Sequence, residues 1–283
     1  MVKYSVFAPI YNEEGNIKKL YDEVSKVMNS LKEEWEFILV NDGSTDTTSE
    51  LLENYKNHPK VKVIHQKNHG VSHARNRGIE IGQGDYIAFL DSDDFWHDNK
   101  LLKQSNYIKD NPETMILHCD EIWIRNDKRV NPKKIHQKAG GDQFYRSIEL
   151  CCISPSAVVI KKEVLKEFNG FNEEYPVCED YDLWLKITNK YSVDYQDEAL
   201  LTKFGGHDDQ LSRKYKAMDF WRLKSCLTML ELVDSRDKKN KLHESIEKRA
   251  FILKNGYLKY NKEDSLNNLR DLLKKYEMEE IIN

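Results

Sequence analysis

Tyr86-Ile87-Ala88-Phe89-Leu90-Asp91-Ser92-Asp93-Asp94 is the stretch on which the fold turns. An unbroken apolar run of five residues, bounded by polar sequence, predicts a strand buried on both faces. It stops abruptly in a group of carboxylates. The same pairing of apolar strand and polar end recurs upstream. Val6 to Ile10 runs into Tyr11-Asn12-Glu13, Glu36 to Val40 into Asn41-Asp42-Gly43-Ser44, and Val61 to His65 into Gln66-Lys67-Asn68. Helices are expected between these strands. Asn16 to Leu31 carries Ile17, Leu20, Tyr21, Val24, Val27, Met28 and Leu31 at helical spacing. Asp46 to Tyr55 and Val71 to Ile81 read the same way. Alternating strand and helix predicts an α/β fold with a mostly parallel sheet flanked by helices. In such sheets ligands bind beyond the carboxyl ends of the strands, where these four polar clusters fall.

The pattern is more mixed from Lys100 to about Arg213. A helix is expected near Leu101 to Lys109, strands at Met115 to Ile124 and Ala157 to Ile160, and a helix at Glu179 to Lys190. Residues 214–283 shift in composition, with 16 Lys+Arg against 12 Asp+Glu, which leaves a net charge of −8 for residues 1–213. This tail reads as two or three helices broken at Asn255-Gly256, with Leu266, Leu269, Leu273 and Tyr276 as an apolar stripe. The expected division is 1–213 as the main domain, split at 96/97, and 214–283 as a C-terminal helical extension. The extension is expected to act as a helical cap or homo-oligomer contact, with peripheral docking of its lysines on a membrane as the alternative.

Bulk composition narrows the function. A net charge of −4 argues against nucleic acid as a partner. No leader and no apolar run long enough to span a bilayer is read. The five cysteines form no Cys-x-x-Cys pair, which predicts reduced thiols and neither a zinc site nor a disulfide framework.

Several constellations could carry chemistry, and each also has a plainer reading. Asp91, Asp93 and Asp94 repel one another unless a cation or donors neutralise them, and oxygen ligands of this kind suit Mg²⁺ or Mn²⁺ bridging nucleotide phosphates. The plainer reading is a polar strand end with Asp93 or Asp94 capping the next helix. Asp42 could accept from a nucleobase edge or serve a turn, with Asp46 as a cap. Lys67, Arg75 and Arg77 lie around a helix start, which suits phosphate or merely solvated charge. Glu179-Asp180-Tyr181-Asp182 opens a helix, where acids are favoured by the macrodipole alone, but one of them could deprotonate a sugar hydroxyl. His207, in Gly205-Gly206-His207-Asp208-Asp209, could be a metal ligand or a surface histidine. Trp96, Trp123 and Trp184 read as core aromatics rather than sugar platforms.

Taken together and in order, these segments resemble the family 2 glycosyltransferases. The residues that carry the likeness are Val6 to Glu13, Ile38 to Asp46, Asn68 to Gly78 with Ala74-Arg75-Asn76, Asp85 to Asp94, and Glu179 to Trp184, so it spans roughly residues 4–213. The resemblance implies a GT-A fold with a Rossmann-like nucleotide-binding half. It implies a nucleoside-diphosphate sugar donor, with UDP expected, a divalent cation, and inversion at the anomeric carbon. By position it implies that Pro9, Tyr11, Glu13, Asp42, Arg75, Asp91 and Ser92 hold the nucleotide sugar. Asp93, Asp91 and His207 would hold Mn²⁺ or Mg²⁺, and Asp180 would be the catalytic base. Gly-Gly-His-Asp-Asp departs from the commoner order, in which a histidine precedes paired glycines. The implied acceptor is a glycan, glycolipid or protein, and the implied place is the cytoplasm, peripheral at the inner face of the cell membrane. The rival readings are a sugar-1-phosphate nucleotidyltransferase and a non-catalytic sugar-binding protein. The first would want a Gly-rich phosphate loop after the first strand, where this chain has Pro9-Ile10-Tyr11-Asn12-Glu13-Glu14. The second is disfavoured by the presence of both the base and the metal carboxylates.

Overall fold

The computed structural model describes residues 3–31, 33–205 and 215–282. The first half follows the expected alternation: β1 (Tyr4–Ile10), α1 (Ile17–Asn29), β2 (Trp35–Asp42), α2 (Thr48–Glu53), β3 (Val61–Gln66), α3 (Val71–Ile81) and β4 (Tyr86–Phe89). Ile17, Leu20, Val24, Val27 and Met28 are the buried face of α1, as their spacing requires. The second half contributes β5 (Asp94–Trp96), α4 (Lys100–Asp110), β6 (Ile116–Arg125), β7 (Lys128–Val130), α5 (Phe144–Glu149), β8 (Val158–Lys161), α6 (Lys162–Glu167), α7 (Glu179–Lys190) and β9 (Asp194–Gly205).

These strands form one sheet in the order β3-β2-β1-β4-β8-β6-β9-β5, with β7 paired to β6. From β3 to β4 every neighbour is parallel. Beyond β4 the sheet becomes mixed, because β8 runs antiparallel to both β4 and β6. β9 then runs parallel to β6, and β5 returns antiparallel to β9. The carboxyl ends of β1, β2, β4 and β6 therefore lie on one edge. The chain winds from β1 outward to β3 and then crosses to β4 on the other side of β1. That reversal of strand order opens a crevice at the carboxyl ends of β1 and β4, the usual place for a ligand.

Close packing holds α3 on this sheet. A Cβ added to Gly78 would lie 2.1 Å from the buried Phe7 ring. Gly78→Ala is therefore expected to lower stability by about 1–3 kcal/mol through overpacking, read as a fall in the urea midpoint without a change in slope. An unchanged midpoint would mean that α3 can lift off β1 at no cost.

Three helices complete the described chain: α8 (Asp219–Leu232), α9 (Arg236–Lys259) and α10 (Glu263–Lys274). One expectation is corrected here. The tail does not break at Asn255-Gly256, because α9 runs through both residues. It ends instead at Asn261, whose φ of +51° is left-handed, with the Lys262 N–H returning to the Tyr257 carbonyl at 2.8 Å. That is a Schellman-type stop with Asn in the position often held by Gly. Gly256 is tolerated because exposed helix interiors lose only about 1 kcal/mol to glycine. A second expectation, Asp93 or Asp94 as a helix cap, also fails: Asp94 is the first residue of β5.

The extension shares its core with the rest of the chain. Leu223, Leu227, Leu242, Ile246 and Leu253 pack in one cluster with Phe144, Ile148, Tyr181 and Leu185 of α5 and α7. Arg249 on α9 donates to the Ile148 carbonyl at 2.7 Å and pairs with Asp219 at 2.7 Å. On the outer side, Phe251, Ile252, Leu258 and Tyr260 are exposed. Among the described residues, no helix is long and apolar enough to cross a membrane.

Candidate active site

Each strand end at the crevice delivers a carboxylate, and the hydrogen bonds show how each is held. After β1, Asn12 takes φ +55°, and its side-chain oxygen accepts from the Thr45 N–H at 2.8 Å. Glu13 then points across to the end of β4, where the Ser92 hydroxyl donates to its carboxylate at 2.6 Å. After β2, Asp42 is buried and accepts from Gln66 Nε2 at 2.7 Å, the His69 N–H at 2.9 Å and the Gly70 N–H at 2.8 Å. An ionised carboxylate has about four lone-pair positions. Three are therefore spent on fixing the loop before α3, which leaves one direction for a ligand. Gly43 makes this approach feasible: its φ is +74°, and a Cβ there would lie 2.6 Å from the Asn68 nitrogen.

Arg75 joins the two ends of the site. It is buried on α3, and its guanidinium donates to Asp91 Oδ1 at 2.7 Å and to Glu179 Oε1 at 2.6 Å. The Phe171 ring lies beneath it, 5.1 Å from the guanidinium carbon. Burial works against charge on Asp91, but Arg75 more than offsets it and holds this carboxyl below its usual range. Burial and the neighbouring Asp180 push the Glu179 carboxyl up, against the pull of Arg75. The acidic end of β4 and the start of α7 are thus tied by one side chain, although they are far apart in the sequence.

The geometry separates the three acids at the start of α7. Glu179 is paired with Arg75, and the buried Asp182 is paired with Lys186 at 2.6 Å. Asp180 makes no ion pair among the described residues. It is half-buried, and it accepts from its own helix start through the Tyr181 N–H at 2.7 Å. Its other oxygen accepts from the Cys151 thiol at 3.3 Å. Cys178, at φ +64°, turns the chain into this helix. A non-glycine residue held in the left-handed region is a strain commonly found near functional sites.

A short strap, Cys151 to Ser156, runs behind all of this. Cys151 touches Asp180, Ser154 donates to Glu121 at 3.1 Å, and the Ser156 hydroxyl accepts from the Asp91 N–H at 3.0 Å. Ser156 is itself fixed by Trp96, whose indole N–H donates to the Ser156 carbonyl at 2.8 Å. Lys203 on β9 is half-buried, which disfavours its charge, but the field of Asp94, Glu121, Asp91 and Asp180 more than offsets this and holds its ammonium charged. Asp93 opens onto solvent, and desolvation on its protein side together with the Asp91 charge pushes it up to about 6. Burial raises Asp94 well above the carboxylate range, and its Oδ2 has no hydrogen-bond partner.

The fit of a divalent cation can be judged on these atoms. Among the described residues, no three His, Cys, Asp or Glu side chains converge as a preformed metal cage. Asp91 and Asp93 together still offer hard oxygen donors. Mg²⁺ is commonly held by one or two carboxylates plus substrate phosphates, and crowded like charges are what a cation relieves. The residues therefore fit a cation that arrives with a diphosphate. His207 lies outside the described residues.

Comparison with known proteins now decides the family. The sequence profile described as Glycosyl transferase family 2 matches residues 5–168, more than half of the chain. The chain belongs to glycosyltransferase family 2. An uncharacterized glycosyltransferase of Rickettsia conorii is 32% identical over 212 residues, 75% of this chain and 32% of that protein. TuaG of Bacillus subtilis, a putative teichuronic acid biosynthesis glycosyltransferase, is 41% identical over 106 residues, 37% of this chain and 41% of that protein. The chain spans only 26%, 32% and 32% of three rickettsial relatives. Among solved structures, S. aureus TarS 1-349 in complex with UDP-GlcNAc superposes with a TM-score of 0.75 at 22% identity, over 96% of this chain and 81% of that one. That likeness supports the GT-A fold.

Within this family 2 chain the structure brings together Glu13, Arg75, Asp91, Ser92 and Asp180. Pro9 lies on β1, and Tyr11 projects at 48% exposure on the rim. Arg77 faces away and pairs with Glu80 on the surface. Trp96 and Trp184 are core residues, whereas Trp123 is only half-buried and its indole N–H donates to Glu121. Sequence reading missed Lys203, Ser156, Cys151, and the buried pair of Glu121 with Lys138 at 3.0 Å. β9, which carries Lys203, reads Asp-Tyr-Gln-Asp-Glu-Ala-Leu-Leu-Thr-Lys-Phe-Gly and has no clean alternation to announce a strand.

Proposed function

We propose that this chain transfers a sugar from a nucleoside-diphosphate sugar to an acceptor hydroxyl with inversion, using Asp180 as the general base. The observation that carries the reading is the Arg75 bridge. It ties Glu179, and with it the adjoining half-buried Asp180, which makes no ion pair among the described residues, to the carboxyl end of β4, where a diphosphate would lie. Glu13 and Ser92 shape the wall between β1 and β4, and Lys203 supplies positive charge on the opposite side. The nucleoside would lie over Pro9 and Tyr11, with the remaining acceptor direction of Asp42 toward the base. Asp91 and Asp93 would hold Mn²⁺ or Mg²⁺, which would offset the charge that develops on the departing diphosphate. The acceptor hydroxyl would approach from the side of Asp180, opposite the leaving group, and lose its proton to this carboxylate as the new bond forms.

The direct test is nucleoside-diphosphate release from a panel of sugar nucleotides, run with and without EDTA. Release is expected from at least one donor, abolished by chelation and restored by Mn²⁺ or Mg²⁺. Full turnover in a chelated sample would remove the metal from this reading. No release from any donor, with or without acceptor glycans, would remove the reading itself.

Donor choice is expected to favour uridine. TarS is solved with UDP-GlcNAc and the Pyrobaculum calidifontis mannosyltransferase PcManGT with GDP-Man and Mn²⁺, so the fold alone does not choose a base. Thermal-shift titration with UDP, GDP, CDP and TDP decides it. A ligand at 100 times its dissociation constant adds about 2.7 kcal/mol to the folded state. UDP is therefore expected to raise the midpoint at concentrations where the other three do not. Equal shifts would reject the uridine assignment.

A further inference from the structure

The β6–β7 hairpin and the loop after it carry a concentration of charge at odds with the rest of the domain. Residues 125–138 hold six Lys+Arg and one acid, Asp127, within a region (residues 1–213) whose net charge is −8. Arg125, Lys128, Arg129, Lys133 and Lys134 are all exposed. Among the described residues none of the five makes an ion pair, although many other surface lysines of this protein do. Exposed cations without an acidic partner in the protein are free to pair with an anion from outside.

The segment is held in one shape. Asn126 and Asp127 take φ of +48° and +59°, the two left-handed residues of a tight hairpin turn. Arg125 lies opposite Lys128, and Ile124 opposite Arg129. The loop folds back so that the His136 ring is 5.6 Å from that of Trp123. Lys138 then plugs into the sheet, pairing with buried Glu121 at 3.0 Å and donating to the Cys152 carbonyl at 3.2 Å. Arg146 donates to the Ile135 and Gln137 carbonyls and pins the loop from the other side.

Its position is also specific. β6 runs in the same direction as β4 and continues past its end, so the hairpin projects from the carboxyl edge of the sheet. Trp123 is the register partner of Lys203 on β9, and Lys203 is the partner of Asp94 on β5. The half-buried indole therefore lies between the crevice carboxylates and the exposed cations.

We propose that the hairpin is a docking surface for the acceptor, and that the acceptor is a polyanionic glycan whose repeating phosphate or carboxylate groups lie along Arg125, Lys128, Arg129, Lys133 and Lys134. The inference rests on the transferase reading of the adjacent site. Guanidinium and ammonium groups spread over a hairpin match charges repeated along a chain better than a single ionic group. Trp123, with the Arg125 guanidinium over its ring at 5.5 Å, fixes the base of this surface at the point where the acceptor would turn toward Asp180.

The test is binding of the full chain to polyphosphate, polygalacturonate and uncharged dextran of similar length, with UDP titrated separately. At least one polyanion is expected to bind, with affinity falling as salt rises, and dextran is expected not to bind. The triple variant Lys128→Glu, Lys133→Glu, Lys134→Glu is expected to weaken polyanion binding at least tenfold. Lys128→Gln, Lys133→Gln, Lys134→Gln should give an intermediate loss, which guards against a folding artefact. The two polyanions distinguish phosphate from carboxylate as the recognised group. Binding that survives the charge reversal, equal binding of dextran, no binding of either polyanion, or stronger binding to RNA or to anionic vesicles would overturn the proposal. If UDP and every other nucleoside diphosphate fail to bind while polyanions still map to the hairpin, the transferase reading fails and the surface stands. Nucleotide binding without polyanion binding fails the surface alone.

Discussion

Asp180→Asn is expected to lower turnover by about 10²-fold or more while leaving nucleoside-diphosphate affinity nearly unchanged. A sugar hydroxyl is far too weak an acid to ionise near neutral pH, so its proton must leave as the bond to the anomeric carbon forms. A positioned carboxylate typically contributes about 10²- to 10⁴-fold to such a step. The leaving diphosphate needs no proton, so one carboxylate suffices where glycoside hydrolysis uses two. Asparagine keeps the size of Asp180, its side-chain oxygen can still accept the Tyr181 N–H, and its amide NH2 can donate to the Cys151 sulfur that donated to the carboxylate, so the fold should be retained. The neighbouring acids serve as internal controls. Asp182→Asn disturbs only the pair with Lys186 and should cost stability rather than chemistry. Near-normal turnover of Asp180→Asn together with loss in Glu179→Gln would move the base to Glu179. Retention of turnover in both would reject a carboxylate base at this helix.

Arg75→Leu is expected to destabilise the protein by about 3–5 kcal/mol, the usual cost of removing one partner from a buried ion pair. The reason is the state of what remains. Glu179 is buried and Asp91 is half-buried, and both would be left in low dielectric facing Asp93, Asp94 and Asp180 without their shared cation. Lys203 is a further cation in the field of Asp91. Denaturant unfolding monitored by circular dichroism measures the cost directly. Arg75→Lys should recover only part of it, because an ammonium cannot fork between two carboxylates as the guanidinium does. A loss below about 1 kcal/mol for Arg75→Leu would mean that the two acids protonate at little cost, and that Arg75 is present for ligand rather than for fold. If the protein unfolds outright, Glu179→Gln provides the milder test, since it keeps a hydrogen-bonding partner for the guanidinium.

Much of this site was legible in the sequence, and the reason is local. A strand buried on both faces reads as an unbroken apolar run, and it must stop where polar residues begin. Tyr86 to Leu90 followed by Asp91 therefore announced both β4 and its acidic end. The same logic located β1, β2 and β3, and the 3.6-residue spacing of Ile17, Leu20, Val24 and Val27 located α1. The limits of α3 and α7 agreed with the expected Val71–Ile81 and Glu179–Lys190, because their flanking glycine and acidic clusters are local signals too. Tertiary structure decided what depends on residues far apart. Nothing near Arg75 in sequence indicates that it spans Asp91 and Glu179, because partners in a buried ion pair are chosen by packing. Composition and spacing do not separate Glu179, Asp180 and Asp182, and resemblance alone singled out Asp180; in the structure the ion pairs of Glu179 and Asp182 set it apart. β9 carries too many polar residues to read as a strand, and it is one because β6 and β5 satisfy its backbone on either side. Asn255-Gly256 reads as a stop, yet α9 continues through it because its other face is buried against α5 and α8, and that packing outweighs a weak local preference.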